Sequence, residues 1–259
     1  MTNESYLYDD GIRLHLKLDT PEIDFDEERK TPLMILLHGL TGNMEERHIA
    51  ALKDTCLSHG FAVLRTDLYG HGKSGGEFHD HNLFNWLSNI MCITDAAKTF
   101  KGTDGLYLMG HSQGGYAAIL AAGMRPDAYR AVIPLSPAIS LEKGAKTGHA
   151  VGVCFDPDAV PDELPRPVTS PLSGNYIRAL QMLDVEAAAR RYRGPVLIVH
   201  GEADQTVPVQ YAYDIAEQFP NCRLEIIPDD LHCYDRHLDQ VLETVGDFLD
   251  EMRQSGERQ

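Results

Sequence analysis

Six short apolar runs, each of strand length, constrain the fold of this 259-residue chain more than any other feature. The runs fall at residues 33–37, 61–64, 106–109, 131–135, 196–199 and 224–227. Because most of them are apolar at consecutive positions, both faces of each strand are predicted to be buried. Longer segments separate the runs, and helices formed there would cover the two faces. This order is typical of a doubly wound α/β fold with a mainly parallel sheet.

Two of the intervening segments have apolar residues at helical spacing, over 83–97 and over 238–252, and both are predicted to be amphipathic helices. Before the first apolar run, residues 6–18 contain two alternating stretches on either side of Gly11. This pattern predicts an antiparallel hairpin, which we expect at the edge of the sheet.

The segment from Ser140 to Arg193 interrupts the alternation. It has about fifty residues where a short loop and one helix would suffice, and it contains five prolines. Insertions of this length in a compact fold are usually functional. We therefore predict an α/β core formed by residues 1–139 and 194–259, with residues 140–193 inserted as a small lid subdomain.

Charge and cysteine content argue against several classes of function. Acidic residues outnumber basic ones by 39 to 23, and the formal net charge is −16. That sign is wrong for binding nucleic-acid phosphates or an anionic membrane surface. The five cysteines are widely spaced and include no C-x-x-C pair, so neither a zinc site nor a redox couple is predicted. The N terminus lacks a basic stretch followed by an apolar one, and we expect a cytoplasmic protein with free thiols.

The pentapeptide Gly110-His111-Ser112-Gln113-Gly114 lies between the predicted strand at 106–109 and a helix-like run that begins near Tyr116. A G-x-S-x-G sequence between a strand and a helix is typical of a nucleophile elbow. In such an elbow a tight turn exposes a strained serine at the carboxyl edge of the sheet. We therefore predict that Ser112 is a catalytic nucleophile.

A serine nucleophile needs a histidine base, and the histidine needs an orienting acid. In a fold of this type the order along the chain is serine, acid, histidine. Asp204 follows the predicted strand at 196–199, and His232 follows the last predicted strand. Both are therefore expected at the same edge of the sheet as Ser112. Three other carboxylates remain alternatives for the acid: Glu202, Asp229 and Asp230.

Acyl transfer also needs hydrogen-bond donors for the oxyanion of the tetrahedral intermediate. One is expected to be the backbone amide of Gln113, which follows the nucleophile. The other is expected in the loop His38-Gly39-Leu40-Thr41-Gly42, where we predict the amide of Leu40. This chemistry needs no metal and no organic cofactor, and neither is predicted.

Together these motifs resemble those of the α/β-hydrolase superfamily. Several further stretches resemble the bacterial feruloyl (cinnamoyl) esterases, and the similarity covers nearly the whole chain, including the insertion. These stretches are Glu46-Arg47-His48-Ile49, Tyr69-Gly70-His71-Gly72-Lys73-Ser74, Phe155-Asp156-Pro157-Asp158, Gly174-Asn175-Tyr176-Ile177-Arg178 and His232-Cys233-Tyr234-Asp235.

The resemblance implies an α/β-hydrolase fold with an eight-stranded, mainly parallel sheet and a small lid. It also implies hydrolysis of hydroxycinnamic esters by Ser112, His232 and Asp204, a small aromatic ester as substrate, and compatibility with a homodimer. Within the insertion, the phenol of Tyr176 is a candidate partner for a ring hydroxyl of the acyl group. Alternatively, Tyr176 fills the small core of the lid. Gly144 stands where some members of the family carry an acid.

Other functions would use the same catalytic groups, because fold and triad do not select the substrate. A general carboxylesterase, a thioesterase and a monoacylglycerol lipase therefore remain alternatives. Outside the enzymes, the alternative is a ligand receptor that retains this fold without turnover. A complete set of catalytic groups argues against it.

Overall fold

The computed structural model describes residues 1–21, 30–164 and 171–256, and these contain ten strands and eight helices. The strands are β1 (Thr2–Asp9), β2 (Ile12–Asp19), β3 (Thr31–Leu37), β4 (Ala62–Asp67), β5 (Thr103–His111), β6 (Ala131–Leu135), β7 (His149–Ala150), β8 (Val153–Cys154), β9 (Val196–Gly201) and β10 (Cys222–Ile227). The helices are α1 (Arg47–Ser58), α2 (Leu83–Lys98), α3 (Gln113–Met124), α4 (Ser140–Thr147), α5 (Asn175–Gln181), α6 (Val185–Arg191), α7 (Gln210–Ala216) and α8 (Leu238–Gly256).

Eight of these strands form one sheet in the order β1-β2-β4-β3-β5-β6-β9-β10. The hairpin of β1 and β2 lies at one edge and is antiparallel, as is the pairing of β2 with β4. The remaining pairings in the sheet are parallel. The prediction of a mainly parallel, eight-stranded sheet with a hairpin at its edge is confirmed.

Both faces of the central strands are buried, as the apolar runs predicted. Along β3, Leu33, Ile35 and Leu37 join one hydrophobic cluster, whereas Met34 and Leu36 join a second cluster on the opposite face. Helices α2, α3 and α7 contribute to the first cluster, and α1 and α8 contribute to the second. Each fully buried aliphatic side chain stabilises the fold by about 1.5–3 kcal/mol relative to an exposed one.

Several strands continue past their apolar runs and carry polar residues to the carboxyl edge of the sheet. In β4 the apolar pattern stops at Leu64, yet Arg65 and Asp67 are also buried. The Arg65 side chain tolerates burial because its Nε donates to Asp19 Oδ2 at 2.8 Å and its Nη1 donates to the carbonyl of Met44 at 3.0 Å. The candidate site lies at this edge.

The insertion shares the core of the sheet. Helices α4 to α6 and the hairpin of β7 and β8 fall within residues 140–193, of which 165–170 lie outside the described residues. Buried side chains from this segment belong to the same cluster as the interior of α2 and α3, among them Leu164, Leu172, Ile177 and Leu180. Helix α6 packs so closely on α3 that a side chain at Gly123 would overlap Ala188. That this segment acts as a lid remains a prediction.

All five cysteines are free thiols. Within the described ranges, no three His, Cys, Asp or Glu side chains form a group that could hold a metal ion. No helix in the same ranges is both long enough and apolar enough to cross a bilayer.

Candidate active site

Ser112 stands at the turn between β5 and α3 in a strained conformation. Its φ angle is 56°, a region that non-glycine residues seldom occupy and that often marks a functional position. Close backbone contacts make glycine necessary on either side. A side chain at Gly114 would overlap the carbonyl of His38, and one at Gly110 would overlap the carbonyl of Gly114. The local sequence therefore forces the serine outward, as expected of a nucleophile elbow.

The structure brings the predicted nucleophile, base and acid together. Ser112 Oγ lies 2.9 Å from His232 Nε2, and His232 Nδ1 lies 2.6 Å from Asp204 Oδ2. The ionised carboxylate can only accept a hydrogen bond, so Nδ1 carries the proton. Nε2 is then free to accept the serine proton. This is the geometry that activates a serine hydroxyl for attack.

Asp204 is buried and held by four donors. Its Oδ1 accepts from the amides of Thr206 (2.8 Å) and Val207 (2.9 Å), while Oδ2 lies 3.2 Å from His200 Nε2 in addition to its contact with His232. Burial alone would raise the pKa of Asp204. The hydrogen bonds from His200, His232 and Val207 outweigh it and hold the pKa well below its usual range. Asp204 therefore stays ionised beside the imidazole.

The other carboxylates considered from the sequence have different partners. Glu202 is exposed and accepts from the amide of Asp229 at 3.2 Å. Asp229 is also exposed and pairs with Arg236 at 2.6 Å. Asp230 is buried and accepts from two backbone amides, one of them that of Arg236. Among the described residues, Asp204 is thus the carboxylate that contacts His232.

The loop that carries His232 is anchored by buried side chains beneath it. His111 Nε2 donates to the carbonyl of His232 at 2.9 Å. The hydroxyl of Tyr234 donates to the carbonyl of Val199 and accepts from Ser136 Oγ, both at 3.0 Å. Burial, with a contribution from the neighbouring histidines, lowers the pKa of His111 well below its usual value, so this anchor carries no charge near neutral pH.

Hydrogen bonds to His38 and His71 fix the peptide groups on the two sides of Leu40. His38 Nδ1 donates to the carbonyl of Gly39 at 2.7 Å. Because that carbonyl and the Leu40 N–H belong to one trans peptide, the N–H points in the opposite direction. On the other side, the amide of Thr41 donates to His71 Nε2 at 3.2 Å. The orientation of the Leu40 amide is therefore set by its neighbours.

This loop lies against the nucleophile. A Cβ atom at Gly39 would be 3.1 Å from the Cβ of Ser112. His38 accepts from the amide of Leu68 through Nε2 at 3.0 Å, which leaves its proton on Nδ1. Burial and repulsion from His71 lower the pKa of His38 to about 4, so the neutral ring keeps both hydrogen bonds near neutral pH.

The side chain of Gln113 is buried and held from two directions. Its Oε1 accepts from the Tyr176 hydroxyl at 2.6 Å, and its Nε2 lies 2.8 Å from His81 Nε2. Tyr176 is fully buried and does not line the cavity beside Ser112. Helix α5 directs Tyr176 toward the first turn of α3, which favours the structural alternative over the predicted contact with a ring hydroxyl of the acyl group.

We expect Tyr176→Phe to act on the enzyme as a whole rather than on one substrate. Removing the hydroxyl leaves Gln113 Oε1 buried without its donor, which should lower the free energy of unfolding by about 1–3 kcal/mol. The rate should fall by the same factor for methyl ferulate and methyl cinnamate. Urea unfolding and kcat/KM for the two esters check this, with the exposed Tyr213→Phe as control. A loss confined to the hydroxylated ester would return Tyr176 to direct substrate contact.

A cavity of about 740 Å³ opens beside Ser112 and His232. The insertion lines it with both apolar and polar side chains, among them Leu141, Val151, Lys143 and His149. The loops after β3 and β10 contribute further residues, among them Thr41, Glu46 and Cys233. The cavity volume falls within the range typical of small-molecule sites.

The doubly wound sheet, the strained serine elbow and the contacts among Ser112, His232 and Asp204 are typical of α/β hydrolases. A family model described as serine aminopeptidase, S33, matches residues 28–155. Est1E from Butyrivibrio proteoclasticus, solved with ferulic acid bound, is 46% identical, with a TM-score of 0.93 and coverage of 96% of this chain and 98% of that chain. The chain belongs to the α/β-hydrolase superfamily and is a carboxylic ester hydrolase.

More distant relatives have other activities in their names. Mouse mitochondrial palmitoyl-protein thioesterase ABHD10 is 26% identical over 214 residues, covering 76% of this chain and 67% of the relative. A monoacylglycerol lipase from Mycolicibacterium smegmatis is 26% identical over 227 residues, covering 77% and 78% respectively. These relatives share the fold and differ in what they hydrolyse.

Two parts of the site could not be found by scanning for a triad. His200 contacts the carboxylate of Asp204. Its only signal in the sequence is that it stands four residues before Asp204, at the end of an apolar run. The contact between Tyr176 and Gln113 joins residues 63 positions apart and has no local signature.

Proposed function

We propose that this protein hydrolyses esters of hydroxycinnamic acids. One observation carries the proposal: the likeness to Est1E, which was solved with ferulic acid bound, runs through nearly the whole chain, including the insertion. Inserted segments differ sharply among branches of a superfamily that share the nucleophile elbow. Similarity in the inserted segment therefore supports a similar substrate. The cavity of about 740 Å³ beside Ser112 has room for such an acyl group.

In the acylation step, we propose that Ser112 Oγ attacks the ester carbonyl while His232 Nε2 takes its proton. The carbonyl oxygen becomes an oxyanion, which the backbone amides of Leu40 and Gln113 would stabilise by hydrogen bonds. The protonated imidazole is stabilised by Asp204. His232 then gives the proton to the departing alkoxide, which leaves as the alcohol, and the acyl group remains on Ser112.

Deacylation repeats the same steps with water as the nucleophile. His232 takes a proton from water as the hydroxide attacks the acyl carbon, and the two amides again hold the oxyanion. Collapse of the intermediate releases the acid and returns the proton to Ser112 Oγ. In this proposal residues 140–193 act as a lid that shields the acyl-enzyme from bulk solvent. The substrate is a small molecule, and a homodimer remains an expectation from the resemblance.

The relatives with lower identity support a second candidate, an acyl hydrolase for fatty thioesters or monoacylglycerols. A comparison of kcat/KM separates the two candidates. We expect methyl ferulate to be hydrolysed at least tenfold more efficiently than methyl butyrate, monooleoylglycerol or a palmitoyl thioester, a difference of about 1.4 kcal/mol in transition-state binding. Preference for the thioester or the glyceride would overturn the proposed substrate class and keep the mechanism.

A further inference from the structure

His200 is a fully buried histidine beside the triad acid, and the proposed mechanism gives it no step. It lies near the end of β9, four residues before Asp204. Its Nε2 lies 2.9 Å from the carbonyl oxygen of Val207 and 3.2 Å from Asp204 Oδ2. A carbonyl and an ionised carboxylate can only accept hydrogen bonds, so Nε2 carries the ring proton and shares it between them.

The other ring nitrogen of His200, Nδ1, is buried and has no hydrogen-bond partner among the described residues. A polar atom buried in this way costs stability, and an apolar side chain of similar volume would avoid that cost. Packing alone therefore favours an apolar residue at this position. What an apolar residue cannot supply is the N–H that faces Val207 and Asp204.

The contacts of His200 close a ring around the acid. The amide of Val207 donates to Asp204 Oδ1 at 2.9 Å, and the carbonyl of Val207 accepts from His200. The second carboxylate oxygen, Oδ2, faces both His200 and His232, and the His232 contact is 2.6 Å long. One carboxylate oxygen is thus shared between two imidazole rings.

From this arrangement we infer that His200 is a positioning residue that limits how strongly Asp204 stabilises the protonated form of His232. A carboxylate whose charge is already stabilised by a second donor gains less from a protonated partner. His232 must be unprotonated to accept the serine proton, so the acidic limb of the pH profile depends on this balance. The inference rests on the proposed roles of Ser112, Asp204 and His232, and it adds a residue outside the triad that extends activity toward lower pH.

Other titratable or charged groups surround Asp204 and His232 and stay in place when His200 is changed. They come from the start of α1, the end of β5 and the loop after β10: Glu46, Arg47, His48, His111, Asp230, Cys233, Tyr234 and Asp235. Burial lowers the pKa of His48 to about 4 and that of His111 well below its usual value. Burial raises the pKa of Glu46, and this group contributes alike to every profile. A difference between profiles therefore reports on His200.

A purely structural role for His200 is the competing explanation, because its bond to Val207 also fixes a loop that lines the cavity. Loss of such a role would lower stability, or would lower kcat at every pH. It would not move the midpoint of the acidic limb. Loss of the second donor would move it upward, because Asp204 would then stabilise the imidazolium more strongly and the base would stay protonated to a higher pH.

The test measures kcat/KM for nitrophenyl acetate from about pH 5 to about pH 9. His200→Leu removes the donor, and so does His200→Asn, whose amide reaches only about as far as Nδ1. We expect both variants to move the midpoint of the acidic limb up by about 0.5–1 pH unit and to lower kcat by about tenfold. His200→Gln places an amide N–H near the position of Nε2 and should keep the midpoint within about 0.2 pH unit of the wild type.

The matched control is His59→Gln, which removes a histidine paired with Asp250 at the far end of α1 and should leave the profile unchanged. A midpoint that stays in place or falls in His200→Leu and His200→Asn would overturn the inference, as would an equal rise in His200→Gln. If His200→Leu does not fold, His200→Asn decides by the same criterion. An acetate ester keeps the test independent of any preference for ferulate. Failure of the proposed mechanism shows separately, as a His232→Ala variant that keeps its rate.

Discussion

Ser112→Ala is expected to lower the esterase rate by about 10³-fold or more while leaving the protein folded. Without the hydroxyl no acyl-enzyme forms, and only substrate binding and the oxyanion donors remain to accelerate hydrolysis. The substituted side chain is small and sits at the end of a strand, so the core is not disturbed. Steady-state kinetics on methyl ferulate check the rate, and circular dichroism checks the fold.

The matched control is Ser88→Ala, which removes an exposed hydroxyl from α2 and should leave the rate within twofold of the wild type. A fluorophosphonate probe should label Ser112 and no other serine, because among the described residues this is the serine whose hydroxyl lies 2.9 Å from a histidine ring nitrogen oriented by a carboxylate. Near-normal turnover by Ser112→Ala, or labelling at another serine, would contradict the assignment of the nucleophile.

Asp204→Asn is expected to lower kcat by about 10³- to 10⁴-fold. The carboxamide cannot hold the imidazole in the tautomer that leaves Nε2 free, and it offers no charge to stabilise the imidazolium. The variant also alters the contacts that His200 and the two amides make to the carboxylate. A thermal melt should therefore accompany the kinetics, so that loss of rate is separated from loss of fold.

Asp229→Asn and Asp230→Asn test two of the alternative acids that the sequence left open. Asp229 is exposed and bonded to Arg236, and Asp230 accepts from backbone amides, so neither reaches His232. We expect each variant to retain turnover within about tenfold of the wild type. If either of them lost more activity than Asp204→Asn in folded protein, the role of the acid would move to that residue.

Most of the sheet was predictable from the sequence because its central strands are buried on both faces. Residues 131–135 form a strand with the predicted bounds, and the edge hairpin turns at Gly11 as expected. Strand ends were less predictable. The run that ends at Leu64 continues to Asp67, because a paired Arg65 extends the buried strand beyond the apolar pattern. The order of strands in the sheet has no local signal at all.

The arrangement around Ser112 was predictable for a related reason. Parallel strands end at one edge of the sheet, so residues that follow different strands, such as Asp204 and His232, meet there. The role of Tyr176 was not predictable in this way. Its contact with Gln113 depends on how α5, a helix of seven residues in a proline-containing insertion, packs on the core. Short helices with few periodic positions give little sequence signal.

The most direct test of the central claim is to trap the acyl-enzyme. The wild-type protein is mixed with excess methyl ferulate, quenched in acid within one turnover, digested and examined by mass spectrometry. We predict a feruloyl group on the peptide that contains Ser112 and none in the Ser112→Ala variant. Turnover of methyl ferulate with no adduct on Ser112, or with the adduct on another residue, would contradict the account.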